Sequence, residues 1–319
     1  MWRTDVLGPG WQARDLPLRP DAYGEALATL VRPEPDGTAR RGAALYVHGF
    51  VDYFFHPHLA DLWHGLGREL YAIDLRGYGR SIRPGRPPNV VADISVHAEE
   101  LDAAVRVLRE ELGHDEIVVM GHSTGGLIAA LWAHARAARP AGPALDALVL
   151  NSPWLDLNRG WFDRTVTTRA LAPLARVAPD LEVGQLAPHY GGWLHDPAGG
   201  GWTYDLAWKP DEGFGVRARW MRSVRRAQKA VARGLTIDVP VLVLTSDASG
   251  PADRWHDALD RTDSVLSVEQ TRRLAPRLGH DVTLVTVPGG VHDLALSPEP
   301  ARTAYLDAVA SWVAERLDA

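Results

Sequence analysis

Short apolar runs recur along the chain at wide spacing, at residues 43–47, 70–73, 117–120, 147–150, 241–244 and 283–287. Each is brief and almost free of polar residues, as strands covered on both faces are. Segments with helical periodicity lie between them. Residues 96–112 are the clearest, with Leu101, Val105, Leu108 and Leu112 on one stripe. Residues 127–136 and 301–317 read the same way. This alternation predicts an α/β fold with a mostly parallel central sheet flanked by helices.

The rhythm breaks between residues 152 and 226. The strand pattern fades there, and six of the 12 tryptophans of the chain crowd in, beside a Gly199-Gly200-Gly201 run. We read this stretch as an insertion between two core strands, folded over the sheet as a cap. The expected organisation is therefore a core of residues 1–151 and 227–319 with a cap of 152–226. Packing of a small subdomain would use tryptophans too. The sharper expectation is an apolar, partly aromatic substrate pocket lined by Trp154, Trp161, Trp193, Trp202 and Trp208.

Composition narrows the function classes. A chain of 319 residues can hold one large α/β domain with an insertion. With 46% hydrophobic and 23% charged residues it reads as globular. A net charge of −6 argues against nucleic acid or an anionic membrane as the main partner. The densest basic stretch, residues 217–229, reads as a solvated helix face. There is no cysteine, which excludes a thiol nucleophile, a disulfide framework and a thiolate metal site. Residues 1–15 lack the apolar centre of a signal peptide, and no stretch reaches the ~18 apolar residues of a membrane span. The expectation is a cytoplasmic protein.

Candidate chemistry sits in three places. Gly121-His122-Ser123-Thr124-Gly125-Gly126 has the G-x-S-x-G form, between an expected strand and an expected helix. That context is what a nucleophile elbow needs: a sharp turn lifts a serine hydroxyl above the sheet, at a helix N-terminus that favours developing negative charge. A serine N-cap in a Gly-rich turn would leave the same residues without that context. His48-Gly49-Phe50 follows the first run. The loop there supplies one oxyanion N–H in such a site, so Phe50 and Thr124 are the expected oxyanion-hole donors. Gly289-Gly290-Val291-His292-Asp293 follows the last run and precedes the terminal helix; a fold with such a serine turn places its base there, so His292 is the candidate base rather than an ordinary exposed loop histidine. His56, His58 and His64 lie close together, but no third-ligand or carboxylate-rich pattern accompanies them. No metal and no other cofactor is expected.

Taken together with Asp74-Leu75-Arg76-Gly77-Tyr78-Gly79-Arg80-Ser81, these motifs resemble the α/β-hydrolase superfamily, in particular its serine aminopeptidase-like and monoacylglycerol lipase (lysophospholipase)-like group. The resemblance runs from about residue 43 to 293. It implies a Ser-His-Asp triad acting through an acyl-enzyme, and a structural role for the Asp-x-Arg-Gly-x-Gly-x-Ser turn. Ser123 separates the chain from the dehalogenases and epoxide hydrolases of the fold, which carry aspartate there. For the acid, relatives often have it soon after the strand matching 241–244, where Asp247 stands, but here a longer loop follows that also holds Asp263. Asp263 is the preferred choice. It precedes Ser264-Val265-Leu266, much as relatives show Asp-x-Val-Val, and a helix is expected to start at Ser267 with Gln270 placed for a capping box. On that alignment residues 247–262 are an insertion carrying Trp255 toward the pocket rim.

The resemblance implies a carboxylic-ester hydrolase acting on a small hydrophobic ester or lactone. A zearalenone-type macrocyclic lactone, the substrate of a serine aminopeptidase, and a silent hydrolase-like binding protein are the other readings. The motifs leave the natural substrate and the oligomeric state open.

Overall fold

The computed structural model describes residues 1–137, 144–157 and 173–318. Trp161 lies outside them. The strands are β1 (Arg3–Asp5), β2 (Gly8–Asp21), β3 (Gly24–Pro33), β4 (Gly42–Val47), β5 (Arg68–Asp74), β6 (Glu116–His122), β7 (Ala147–Asn151), β8 (Glu182–Gly184), β9 (Val216–Arg217), β10 (Val241–Ser246) and β11 (Val282–Val287). Among the described residues, nine of them form one sheet in the order β1-β2-β3-β5-β4-β6-β7-β10-β11. The pairs from β5 through β11 are parallel; β1, β2 and β3 extend the sheet in antiparallel fashion. The α/β expectation holds, and every expected strand is present.

The antiparallel extension was not expected. β2 and β3 carry prolines, arginines and aspartates and alternate only loosely between buried and half-exposed positions, so no strand pattern stands out. The hairpin closes with Asp21 opposite Gly24, and Gly24 takes a left-handed φ of 95° that favours glycine.

β4, β7 and β10 are buried along their whole length, and β6 from its second residue onward. Two apolar clusters cover the two faces of the sheet. Helix Thr124–Arg136 packs under one face and the terminal helix Ala301–Leu317 under the other. The amphipathic helix expected over 96–112 runs as Ala98–Arg106 and continues through a wider π-turn, Val107–Glu111. Between β7 and β10 the described chain carries β8, helix Pro188–His195, β9 and helix Ala218–Arg233. The expected domain boundary at residue 226 falls inside that last helix, whose buried face packs on the sheet-covering cluster through Trp220, Val224 and Val231. Among the described residues no helix is long and apolar enough to cross a membrane.

The Asp74–Ser81 turn is a packing device. Asp74 accepts the Phe54 N–H at 3.0 Å and the Arg80 N–H at 2.9 Å. Arg80 is buried and reaches Asp74 at 2.8 Å, the Phe54 carbonyl at 3.0 Å, and both oxygens of Asp5 at 2.6 and 2.7 Å. One guanidinium thus binds the first strand to the loop after β4. Arg76 is likewise held by Glu99, Glu100 and Asp21.

Candidate active site

Ser123 sits where β6 turns into helix Thr124–Arg136, at φ 52° and ψ −116°. This conformation is strained for a residue with a side chain and persists only where its surroundings hold it. The surroundings do. Ser123 N–H donates to the Asn151 carbonyl at 3.0 Å, and the Ser123 carbonyl accepts the Trp154 N–H at 3.0 Å. The flanking glycines are required by space: a Cβ on Gly125 would lie 2.3 Å from the His48 carbonyl oxygen, and one on Gly121 would lie 2.7 Å from Gly126 Cα.

The Ser123 hydroxyl lies 3.0 Å from His292 Nε2, and His292 Nδ1 lies 3.0 Å from Asp263 Oδ2. All three residues are buried. The other Asp263 oxygen accepts the N–H groups of Val265 at 3.0 Å and Leu266 at 2.8 Å, which fixes the carboxylate's orientation. Asp247 stands elsewhere. It is exposed, and it accepts the Gly289 N–H at 2.9 Å, closing the turn ahead of the His292 loop. The 247–262 segment is closed at its base by Asp263 N–H to the Ala248 carbonyl and Gly250 N–H to the Asp263 carbonyl, both at 2.9 Å. Trp255 in it is exposed, while its neighbours Ala252 and Asp253 reach the cavity. Helix Val268–Leu274 starts as expected, with Ser267 Oγ accepting the Gln270 N–H at 3.4 Å.

Opposite the serine, the loop after β4 is held peptide by peptide. The buried His48 ring accepts the Leu75 N–H at Nε2 (3.0 Å) and donates from Nδ1 to the Gly49 carbonyl (2.7 Å). Gly49 N–H goes to Asp52 Oδ2 at 3.2 Å, and Val51 N–H to Asn89 Oδ1 at 2.9 Å. Phe50 lies between these two anchored peptides. Thr124 is the first residue of its helix, where the N–H has no intrahelical acceptor. Both residues border the cavity beside Ser123.

That cavity measures about 750 Å³. Its apolar lining includes Trp154, Leu157, Leu174, Val216, Trp220 and Met221, and its polar lining Asp52, His122, Tyr190, Lys209 and Asp211. Trp154 lines this cavity, whereas Trp193, Trp202 and Trp208 do not. They belong to a third apolar cluster with Tyr53, Phe55, Tyr204 and Leu296 that fastens this segment to the sheet domain. Trp202 donates its indole N–H to the Leu296 carbonyl at 3.0 Å, and Trp208 meets Tyr53 edge-on. Composition marks tryptophans as aromatic surface without saying which face they serve. Trp220, which sequence reasoning left out, stacks on Phe50 at 4.4 Å between ring centres and does border the cavity.

The three clustered histidines separate into different roles. His56 donates from Nε2 to Asp293 at 2.9 Å, His58 to the Ala295 carbonyl at 3.0 Å, and His64 to Glu69 at 3.0 Å. Among the described residues no group of three or more His, Asp or Glu is arranged to hold a metal ion.

Electrostatics follow burial. Burial raises the Asp293 pKa, but His122, His56 and Asn151 outweigh it, so the carboxyl stays far below the usual range. Asp52 is also lowered: burial opposes this, and the Lys209 ammonium, 2.7 Å away, is the strongest opposing charge. Burial lowers His122 from 6.5 to about 4, and His58 likewise to about 4. These two rings are neutral in the folded state and take up protons on unfolding between pH 6.5 and 4. Stability is therefore expected to fall as pH drops through that window, by about 3 kcal/mol for each ring. Urea midpoints measured from pH 7.5 to 4.5 check this; a flat profile would contradict it.

Fold and site together define an α/β-hydrolase, a sheet of this order with a serine at the sharp turn after β6 and a histidine after β11. The chain belongs to the serine aminopeptidase S33 family, whose model matches residues 38–299. It is 27% identical over 291 residues to a monoacylglycerol lipase of Mycolicibacterium smegmatis, covering 89% of this chain and 91% of that protein. Among solved structures it is similar to a monoglyceride lipase of Saccharomyces cerevisiae, with TM-score 0.69, 17% identity, and coverage of 95% of this chain and 94% of the other. It is also similar to the monoacylglycerol lipase of Paleococcus ferrophilus, with TM-score 0.63, 22% identity, and coverage of 88% and 96%.

Proposed function

We propose that the chain is a serine carboxylic-ester hydrolase for substrates with a hydrophobic acyl group, with Ser123 as nucleophile, His292 as base and Asp263 as the orienting acid. The observation that carries this reading is the continuous hydrogen-bonded line from Ser123 Oγ through His292 to Asp263, opening onto a cavity with a large apolar lining. His292 Nε2 takes the serine proton as Oγ attacks the ester carbonyl. The Phe50 and Thr124 N–H groups hold the oxyanion. His292 then returns the proton to the leaving alkoxide, and water repeats the sequence on the acyl-enzyme. Residues 152–226 act as the cap: Leu174, Val216 and Met221 supply apolar wall for the acyl group.

The relatives named as monoacylglycerol lipases support an acylglycerol as the first substrate to test. Pairing of the deepest carboxylates favours esters over peptides, although Asp211 on the same wall keeps one buried oxygen without a hydrogen-bond partner. A substrate ammonium needs a carboxylate to receive it. The two most buried carboxylates on the cavity wall are engaged, Asp52 with Lys209 and Asp293 with His56 and Asn151. A panel of p-nitrophenyl esters, monoacylglycerols, macrocyclic lactones and aminoacyl amides tests the reading. Esters of medium and long acyl chains are expected to lead, with amides at least ~10²-fold lower in kcat/KM. Faster turnover of the amides would overturn it.

The cap tryptophans divide into two kinds. Trp154→Ala is expected to change the preferred acyl length with little loss of stability. Trp202→Ala is expected to leave that preference alone and lower the melting temperature by several degrees, because it removes the bond to Leu296 and the stacking on His58. The reverse pattern would show that the lining has been misassigned.

A further inference from the structure

Asn151, the last residue of β7, is fully buried. Its carbonyl accepts the Ser123 N–H at 3.0 Å. Its side chain faces the other way. Nδ2 donates to Asp293 Oδ1 at 2.7 Å, and Oδ1 accepts the Leu294 N–H at 3.2 Å. One residue therefore grips the backbone of Ser123 and the two residues that follow His292. Asp293 extends the grip by accepting the Ala295 N–H at 3.1 Å and the His56 Nε2–H at 2.9 Å. His56 belongs to the segment running on from His48-Gly49-Phe50. The serine turn, the histidine loop and the oxyanion loop meet in this one buried polar network, and the proposed acyl-transfer steps use none of its side chains.

We propose that Asn151 is a positioning residue for proton transfer between Ser123 and His292, holding their 3.0 Å separation by anchoring both backbones. The proposal rests on the reading of those two residues as nucleophile and base. Two features make the anchoring necessary. The Ser123 turn is strained and relaxes if its partners give way. A hydrogen-bonded nucleophile and base also lose rate steeply with small displacements.

The test compares Asn151→Asp and Asn151→Leu in the full chain with a p-nitrophenyl ester. The aspartate variant keeps shape and the acceptor for Leu294, but sets a carboxylate oxygen where Nδ2 now lies 2.7 Å from Asp293. Two carboxylates so close favour sharing a proton, which restores the hydrogen bond, and repel each other when both are ionised. The titratable groups facing the site are Asp293 and His56, His122 at the serine turn, His292, Tyr46 on β4, Tyr190 on helix Pro188–His195 and Tyr305 on the terminal helix.

At pH 8, Asn151→Asp is expected to lose about 10²-fold in kcat, with KM within about threefold of the parent. Its deficit relative to the parent should narrow as pH falls toward 6. Asn151→Leu should show a deficit independent of pH. Labelling of Ser123 by a fluorophosphonate should slow in parallel with kcat. A merely structural role would give a pH dependence that follows the folded fraction, whereas a positioning role gives one in the kcat of the folded protein. If Asn151→Leu does not fold, the aspartate variant decides alone. A kcat within about threefold of the parent at pH 8, or a deficit that tracks only the folded fraction, overturns the proposal. Parent protein left unlabelled at Ser123 overturns the underlying reading first, and the proposal with it.

Discussion

Ser123→Ala is expected to keep the fold and lose at least ~10³-fold in turnover, because it removes the attacking oxygen and with it the acyl-enzyme. The residual rate would come from the oxyanion donors and the bound geometry alone. Alanine suits the site sterically. It keeps the backbone bonds to Asn151 and Trp154, and only the hydroxyl contact to His292 is lost. The melting temperature should therefore change little, or rise slightly if the strained turn relaxes. A fluorophosphonate should label Ser123 in the parent and leave the variant untouched. Label found on another serine, such as Ser264 on the same cavity wall, would falsify the assignment.

Asp263→Asn is expected to cost about 10⁴-fold in kcat with a near-normal melting temperature. The reason lies in the two backbone N–H groups of Val265 and Leu266 that point at Asp263 Oδ1. Both Asp263 oxygens lie 3.0 Å from His292 Nδ1; these N–H groups hold the amide oxygen of an asparagine at the Oδ1 place, so its NH₂ replaces Oδ2 beside the ring nitrogen. That ring nitrogen must then accept, the proton moves to Nε2, and His292 presents N–H where it needs a lone pair for Ser123. Asp247→Asn is the control. The oxygen that accepts the Gly289 N–H survives in the amide, and less than about a threefold change is expected. Kinetics within about tenfold of the parent for Asp263→Asn would remove Asp263 from the relay.

Much of this arrangement was legible in the chain itself. The central strands read clearly because β4, β6, β7 and β10 are short, apolar and covered on both faces. The serine turn read clearly because its glycines leave no room for any other residue. β2 and β3 did not, since a half-exposed, proline-bearing hairpin lacks a clean two-residue alternation; the one local cue was the glycine at its turn. The pattern does not say which way Trp193, Trp202 and Trp208 face, because which side of a small cluster meets a cavity depends on packing against Tyr53 and Phe55 far away in sequence. The network of Asn151, Asp293 and His56 carries no spacing signal at all. Its members come from three distant stretches and become neighbours only when the strand ends align.

The cavity draws its proposed reactive groups from one part of the chain and much of its apolar wall from another. Ser123, His292 and the Phe50 loop stand at strand ends of the sheet, whereas Leu174, Val183, Val216 and Met221 come from the segment between β7 and β10. Reactivity and selectivity are in that sense encoded separately. On the proposed reading, a directed-evolution library confined to residues 174, 183, 216 and 221 would vary the shape offered to the acyl group while leaving the Ser123, His292 and Asp263 hydrogen bonds in place, so substrate range could drift in such a protein without the chemistry having to be rebuilt each time.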